Sequence, residues 1–350
     1  MHRAGLIPLP RVDHALQAML AVRQYGPFAG ATKHAAQQHP DAVALIDELG
    51  PITFTELDAQ SNALARAWTK AGHGQGTAIA ALCRDHRGLV LAMLAAGKTG
   101  ARLVMMNTGF AKPQLADVAE REGVRALVYD SEFTGLLEAI DADVPRYLAW
   151  VDDEHDVDPD IPRLDALIEA NSTADLEPPA KPGGFVLLTS GTTGTPKGAP
   201  RDSMSVFATA QFLDRIPLSA GGVTYMAAPI FHGTGLSQFV LSFGLGCTVV
   251  MNRKFNPEKT LAGIAEHRAD ALIVVPTMLQ RILDLGPEVL ARHDTSSLRI
   301  VFAAGSALSP DLCRRTAEAF GDVLYNLYGS TEVAVATIAT PEELRDFPGT

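Results

Sequence analysis

The chain has 350 residues, 47% hydrophobic and 20% charged, enough to bury a large core divided over two or more α/β units. Lys+Arg 29 against Asp+Glu 40 give a formal net charge of −11, which argues against a nucleic-acid partner and leaves any anionic ligand dependent on a locally built positive field. Cys83, Cys247 and Cys313 are widely spaced with no Cys-x-x-Cys pair, which argues against a zinc site or disulfide framework and suits buried thiols in a reducing cytoplasm.

Pro8, Pro10, Arg11 and Asp13 interrupt any apolar leader segment. Val12, Ala15, Leu16, Met19 and Leu20 then recur at helical spacing, predicting an amphipathic helix that ends near Gly26-Pro27. Its mixed charges (Arg11, Asp13, Arg23) favour docking on the protein's own body over a membrane surface. Ala42 to Asp47 and Ile52 to Phe54 read as strands around Gly50-Pro51, and Thr55 to Asp58 resembles a capping box opening a helix that stops at Gly72. Strands at 78–82, 103–107, 126–129 and 147–151 alternate with helices at 88–98, 115–121 and 131–140. That alternation predicts a mostly parallel sheet covered on both faces.

Two stretches in this half imitate binding motifs. Gly72 to Gly76 has dinucleotide-loop spacing but leads from helix into strand, the reverse of what that fingerprint needs. The acidic run from Asp152 to Asp160 lacks the central Gly and terminal Glu of a calcium loop, so it reads as solvated. Glu177 to Gly184 then reads as a linker, dividing the chain into a helical segment at 1–28, a first α/β subdomain at 29–180 and a second at 181–350. In the second, strands are expected at 185–189, 224–228, 248–251, 271–275, 298–302 and 324–327, with helices at 203–212, 236–243, 257–267, 278–283 and 311–320. The apolar stretch from Met226 to Met251 contains Pro229 and His232, so it reads as strand, helix and strand, not a membrane span.

Ligands of open α/β sheets bind outside the carboxyl ends of the strands. Four loops there carry chemistry, provided the six strands are parallel and share an edge. The first is Thr189-Ser190-Gly191-Thr192-Thr193-Gly194-Thr195-Pro196-Lys197. Its glycines free backbone N–H groups for phosphate oxygens, its hydroxyls add donors and Lys197 adds a charge. Pro196 and Gly198 beside Lys197 exclude a Walker A loop. The second, Pro229 to Gly235, contains Phe231, His232 and Gly235, with Gln238 shortly after. His232 could meet a carboxylate or be structural. The third, Ala303-Ala304-Gly305-Ser306-Ala307, is small enough to admit a flat ring. The fourth, Tyr325 to Glu332, brings an aromatic face at Tyr328 and oxygen ligands for Mg²⁺ at Thr331 and Glu332.

The unbroken run from Thr189 to Lys197 closely resembles the AMP-binding signature of the adenylate-forming superfamily of acyl-CoA synthetases, luciferases and peptide-synthetase adenylation domains. With the other loops in the family's order, the resemblance covers roughly residue 30 to the end and is closest to bacterial fatty-acyl-CoA synthetases. It implies an acyl-CoA synthetase-like N-terminal domain of two doubly wound, mostly parallel α/β subdomains. It further implies that the Thr189–Lys197 loop closes over the phosphates of ATP, and that Gly305, Ser306 and Ala307 pack against adenine. Asn326, Leu327, Tyr328 and Gly329 would hold the base, Thr331 a phosphate and Glu332 the Mg²⁺ ion. His232 would stand where the acid meets ATP, with Phe231, Gly235, Gln238, Ala304 and Gly305 around the acid.

The reaction implied is ATP-dependent activation of a fatty acid to an acyl-adenylate, followed by transfer to CoA. The family's mobile C-terminal domain, with its adenylation Lys, is not in these residues, so the chain is expected to be the N-terminal core. An acyl-AMP ligase loading a carrier protein, or a nucleotide- and acyl-binding protein without turnover, are the alternatives. The same reading leaves a homodimer and peripheral membrane contact open. No GxSxG elbow supports a hydrolase.

Overall fold

The computed structural model describes residues 12–155, 157–189, 197–201, 212–329 and 336–348. The chain is α/β and divides into two compact units. The N-terminal unit comprises Asp13–Val43 and Ile52–Ser203; the C-terminal unit comprises Met1–Val12, Ala44–Pro51 and Met204–Thr350.

Helix α1 (Val12–Gln38) does not end at Gly26-Pro27. It kinks there, with Gly26 at φ 85°, and a second helical stretch follows, burying Phe28 and Ala29. Pro can open a helix because its missing N–H is needed by no earlier carbonyl. The first stretch departs from expectation in another way: Leu16, Met19 and Leu20 are 57%, 69% and 47% exposed, so this stripe is not docked. Strands β1 (Val43–Asp47) and β2 (Gly50–Thr53) follow, then α2 (Phe54–Lys70). The capping box is Thr53 with Glu56, two residues earlier than expected: the Thr53 hydroxyl accepts the Glu56 N–H at 3.1 Å, and the Glu56 carboxylate accepts the Thr53 N–H at 2.8 Å.

The N-terminal unit holds a six-stranded sheet built from β3 (Ala78–Leu82), β4 (Arg102–Met105), β5 (Val124–Asp130), β6 (Arg146–Trp150), β7 (Gly184–Thr189) and β8 (Lys197–Arg201). The order is β6-β5-β3-β4-β7-β8. All neighbours are parallel except β7 and β8, which pair antiparallel with Thr189 opposite Lys197. Helices α3 (Arg87–Thr99), α4 (Lys112–Glu122) and α5 (Leu164–Glu169) belong to this unit. The segment after Asp130 is a 3₁₀ helix from Ser131 to Ala139, with no side-chain cap from Asp130. One core cluster gathers Leu82, Val104, Leu115, Leu127, Phe133 and Leu148, each buried apolar side chain contributing about 1.5–3 kcal/mol.

The expected linker at 177–184 does not separate the sheets. β7 pairs with β4, Arg102 opposite Gly184, so the boundary at 180/181 falls inside the first sheet's territory. The glycine there answers to packing. A Cβ on Gly183 would stand 2.1 Å from the carbonyl oxygens of both Ala96 and Ala101, so only Gly lets the chain pass the end of α3 into the sheet.

The C-terminal unit holds an eight-stranded sheet that adds β9 (Val223–Met226), β10 (Thr248–Met251), β11 (Ala271–Val274), β12 (Ile300–Ala304), β13 (Leu324–Tyr328) and β14 (Thr337–Ala339) to β1 and β2. Its order is β14-β13-β12-β11-β9-β10-β1-β2. The six strands from β13 to β1 in that order are parallel, and β14 is antiparallel to β13. Helices α6 (Gly233–Gly244), α7 (Pro257–His267), α8 (Pro276–Leu283), α9 (Pro287–Leu290), α10 (Pro310–Phe320) and α11 (Pro341–Asp346) connect or follow these strands. Tyr225, Leu272, Val274, Val301, Ala303 and Leu324 point to the face where Leu261, Leu279 and Leu312 form the core. The helix expected at 203–212 lies almost wholly outside the described residues. No helix among the described residues is long and apolar enough to cross a membrane.

Candidate active site

The strand directions decide which of the four loops share an edge. β9, β12 and β13 are parallel members of one sheet, so the segments after Met226, Ala304 and Tyr328 leave from its carboxyl edge. β7 belongs to the other sheet, so the expectation that four loops leave one edge is corrected to three. The strands that flank the phosphate-type loop, β7 and β8, pair antiparallel in the N-terminal unit. Thr189 ends β7 and Lys197 begins β8; Ser190, Gly191, Thr192, Thr193 and Gly194 lie outside the described residues. So do Thr331 and Glu332.

At the carboxyl edge of the C-terminal unit's sheet, the chain turns sharply after β9. The Ala227 and Ala228 N–H groups both donate to the Ile273 carbonyl at 3.0 Å, and His232 N–H donates to the Pro229 carbonyl at 3.2 Å. His232 is then the N-cap of α6: its carbonyl accepts the Leu236 N–H at 2.9 Å while its side chain makes no cap hydrogen bond. The ring is exposed and lies against Phe231, centroids 4.4 Å apart. Desolvation lowers the His232 pKa below the ordinary imidazole value, which favours the uncharged ring. Phe231 is buried.

Gly235 fixes this turn. A Cβ there would meet the Pro229 carbonyl oxygen at 2.1 Å, so the helix can start this close to the preceding loop only with Gly. Gly305 serves differently. It follows β12 at φ 97°, a conformation that side chains with a Cβ rarely adopt. From its position Val275 Cγ1 and Thr234 Oγ1 lie 3.7 and 3.9 Å from a notional Cβ. The ends of β11 and β12 and the first turn of α6 therefore meet at one point. Thr234 and Val275 were not anticipated from sequence: a Thr inside a Gly-rich turn and a Val ending a strand carry no chemical signal.

Ala303 and Ala304 end β12 and do not belong to the loop; Gly305, Ser306 and Ala307 are exposed beyond them. Likewise Asn326, Leu327 and Tyr328 lie within β13. Asn326 is buried beside Ala303, its Cα partner on β12. Tyr328, two residues on and therefore on the same face, is 72% exposed. Its carbonyl accepts the Ala336 N–H at 2.9 Å, closing the base of the hairpin that carries Gly329. The edge thus presents an exposed imidazole, the exposed backbone of Gly305 and an unburied phenol ring. A carboxylate and a flat heterocycle suit such an edge.

The sequence profile of the AMP-binding enzyme family matches residues 32–350. The chain belongs to this family. Among AMP-binding relatives, the fatty acid–[acyl-carrier-protein] ligase ScoC of Streptomyces coeruleorubidus is 28% identical over 323 residues, covering 89% of this chain and 59% of that protein. The 2-succinylbenzoate–CoA ligase of Bacillus pumilus is 28% identical over 313 residues, covering 87% of this chain and 60% of the relative. The chain thus spans about three fifths of the length of these relatives. In fold, it is similar to the inhibitor-bound N-terminal domain of FACL13 from Mycobacterium tuberculosis, with a TM-score of 0.78, 22% identity and coverage of 91% of this chain and 80% of that one. Its α/β architecture is accordingly that of an N-terminal domain of an adenylate-forming enzyme.

A separate cluster in the N-terminal unit brings Cys83, His86 and Asp130 within metal-binding reach of one another. The donors are already committed. His86 Nε2 donates to Asp130 Oδ1 at 2.8 Å, its Nδ1 accepts the Gly88 N–H at 3.0 Å, and Asp130 Oδ2 accepts the Arg84 N–H at 2.8 Å. With His86 and Asp130 both fully buried, this is a helix cap and a strap between strand ends, not a metal centre.

Proposed function

We propose that this AMP-binding chain is the nucleotide- and acid-binding core of an enzyme that activates a fatty acid as its acyl-adenylate and passes the acyl group to CoA. In the first step a carboxylate oxygen of the acid attacks the α-phosphorus of ATP, the bond to the bridging oxygen breaks and pyrophosphate leaves. In the second, a thiol attacks the acyl carbon and AMP leaves. Such chemistry asks mainly for positioning and charge stabilisation.

The observation that carries the reading is the placement of the His232 imidazole at the same carboxyl edge as Gly305. A neutral ring can donate one N–H to a carboxylate without the charge pairing that would quench its nucleophilicity. The exposed Tyr328 ring, at the carboxyl end of β13, suits a base, and the small run at 305–307 suits close approach of its plane. The family resemblance assigns Mg²⁺ to Glu332 and phosphate contacts to Thr331 and Lys197. Glu332 and Thr331 lie outside the described residues, and the steps argued for this chain rest on His232, Gly305 and Tyr328.

Hydroxamate trapping of acyl-adenylate, with ATP and Mg²⁺ across a panel of fatty and aromatic acids, tests the substrate class. Product with fatty acids, released by CoA as the thioester, is expected. Product with aromatic acids alone would overturn the fatty-acid assignment. Release by a phosphopantetheinylated carrier protein and not by CoA would move the chain to the carrier-loading class.

A further inference from the structure

Helix α6 carries Thr234, Gln238 and Ser242 at spacings of four residues, so the three share one face. Both ends of this polar stripe have known neighbours. Thr234 Oγ1 stands at the rim, 3.9 Å from the notional Cβ of Gly305. Ser242 Oγ donates to Thr224 Oγ1 at 3.2 Å, near the start of β9. Thr224 lies on the face of the sheet opposite Tyr225, which belongs to the core packed by α7, α8 and α10. The stripe therefore runs inward between α6 and the sheet, with Gln238 one turn, about 6 Å, inside the rim.

Gln238 is 3% exposed and its Oε1 has no hydrogen-bond partner among the described residues. A buried amide oxygen left unmet is destabilising, and folded proteins seldom tolerate one without a reason. On either side of it along the stripe, Ser242 is paired and Thr234 stands at the rim. Gln238 is thus the first polar group of the stripe inward of Thr234.

We propose that Gln238 determines specificity in the acid pocket, and that the acid carries a hydroxyl remote from its carboxylate. This rests on reading the His232 rim as the seat of the carboxylate. Gln238 lies six residues along the helix from His232, about 9 Å, which sets the reach between the two groups of the ligand. A hydroxyl both donates and accepts, so it satisfies the amide whichever of its two ends faces inward. A plain aliphatic chain would seal the amide off unpaired, and a pocket built around a hydrogen bond rejects the analogue that lacks it.

The test compares saturated fatty acids with counterparts hydroxylated at a carbon about 9 Å from the carboxylate. Two readouts are taken on the protein: trapped adenylate, and calorimetric binding of each acid. The expected result is a preference for the hydroxylated acid of about tenfold or more in both kcat/KM and Kd. Gln238→Leu and Gln238→Met should abolish that preference while melting no lower than the parent protein, since each removes an unmet polar group at similar volume. Equal binding of the paired acids by the parent protein, or a preference that survives both substitutions, overturns the proposal. Failure of the broader reading looks different: calorimetry would still rank the acids, yet no adenylate would form with any of them.

Discussion

Gly305 and Thr234 face each other across the mouth of the candidate site, with Thr234 Oγ1 3.9 Å from where a Gly305 Cβ would stand. Space for a methyl group exists there, but the φ of 97° resists one. Gly305→Ala should therefore cost about 1–2 kcal/mol through backbone strain, with no clash. Gly235→Ala presents the opposite case, since its Cβ would lie 2.1 Å from the Pro229 carbonyl oxygen and the turn must open. Thermal unfolding should show the larger loss for Gly235→Ala, and binding of the acid should weaken with it. A larger loss for Gly305→Ala would contradict this account of the two glycines.

His232 has a pKa below 6.5 because desolvation disfavours the charged ring. Two consequences share one sign. The acid limb of kcat/KM against pH should lie below pH 6.5, since the ring stays neutral until then. Stability should also fall as pH drops from 7 through that range, because the unfolded ring takes up the proton first. His232→Ala should remove that limb and lower kcat/KM by about a hundredfold if the ring acts on the reacting carboxylate. A limb unchanged in His232→Ala would assign it to another group.

Much of this site could be read from residues that follow strands. Strand and helix periodicity placed β9 to β13 within a few residues, and His232 and Gly305 follow from their position after β9 and β12. Sheet membership was less legible, because parallel pairing is non-local: nothing around Gly184 announces Arg102 as its partner. The Pro- and Gly-rich stretch before β7 has the composition of a linker, yet Gly183 is set by the close carbonyls of Ala96 and Ala101. Thr53 was passed over as a cap because Thr55, two residues on, offers a similar pattern. Gln238 could be placed on its helix, but its lack of a partner is a property of packing that no one-dimensional pattern carries.

The Cys83–His86–Asp130 cluster makes a negative test of metal binding. Since His86 spends both ring nitrogens on Asp130 and Gly88, zinc should leave the melting temperature unchanged. His86→Ala should destabilise the fold by about 2–4 kcal/mol, combining a lost helix cap with the loss of one hydrogen bond to a buried carboxylate. Denaturant unfolding with and without zinc measures both. A zinc-dependent rise that vanishes in Cys83→Ser would show that the donors can be recruited after all.

Lys98 offers the sharpest dependence on pH. Its ammonium is buried among four acceptors: the Asp58 carbonyl at 2.8 Å, and Asp58 Oδ1, Ser61 Oγ and Asn62 Oδ1 at 2.7 Å each. Burial dominates and lowers its pKa to about 8, with Asp58 opposing the shift. Between that value and the unfolded 10.5, the unfolded chain holds more protons than the native one. Stability therefore rises with pH across this window, by about 2 kcal/mol between pH 7.5 and 9.5. Lys98→Met should abolish the rise, and at pH 7 it should destabilise by about 3 kcal/mol because Asp58 loses its cation at 2.7 Å and keeps the more distant Lys33 at 3.8 Å. Urea denaturation of both proteins at the two pH values decides the matter. An identical slope with pH in Lys98→Met would mean that another group titrates in the window.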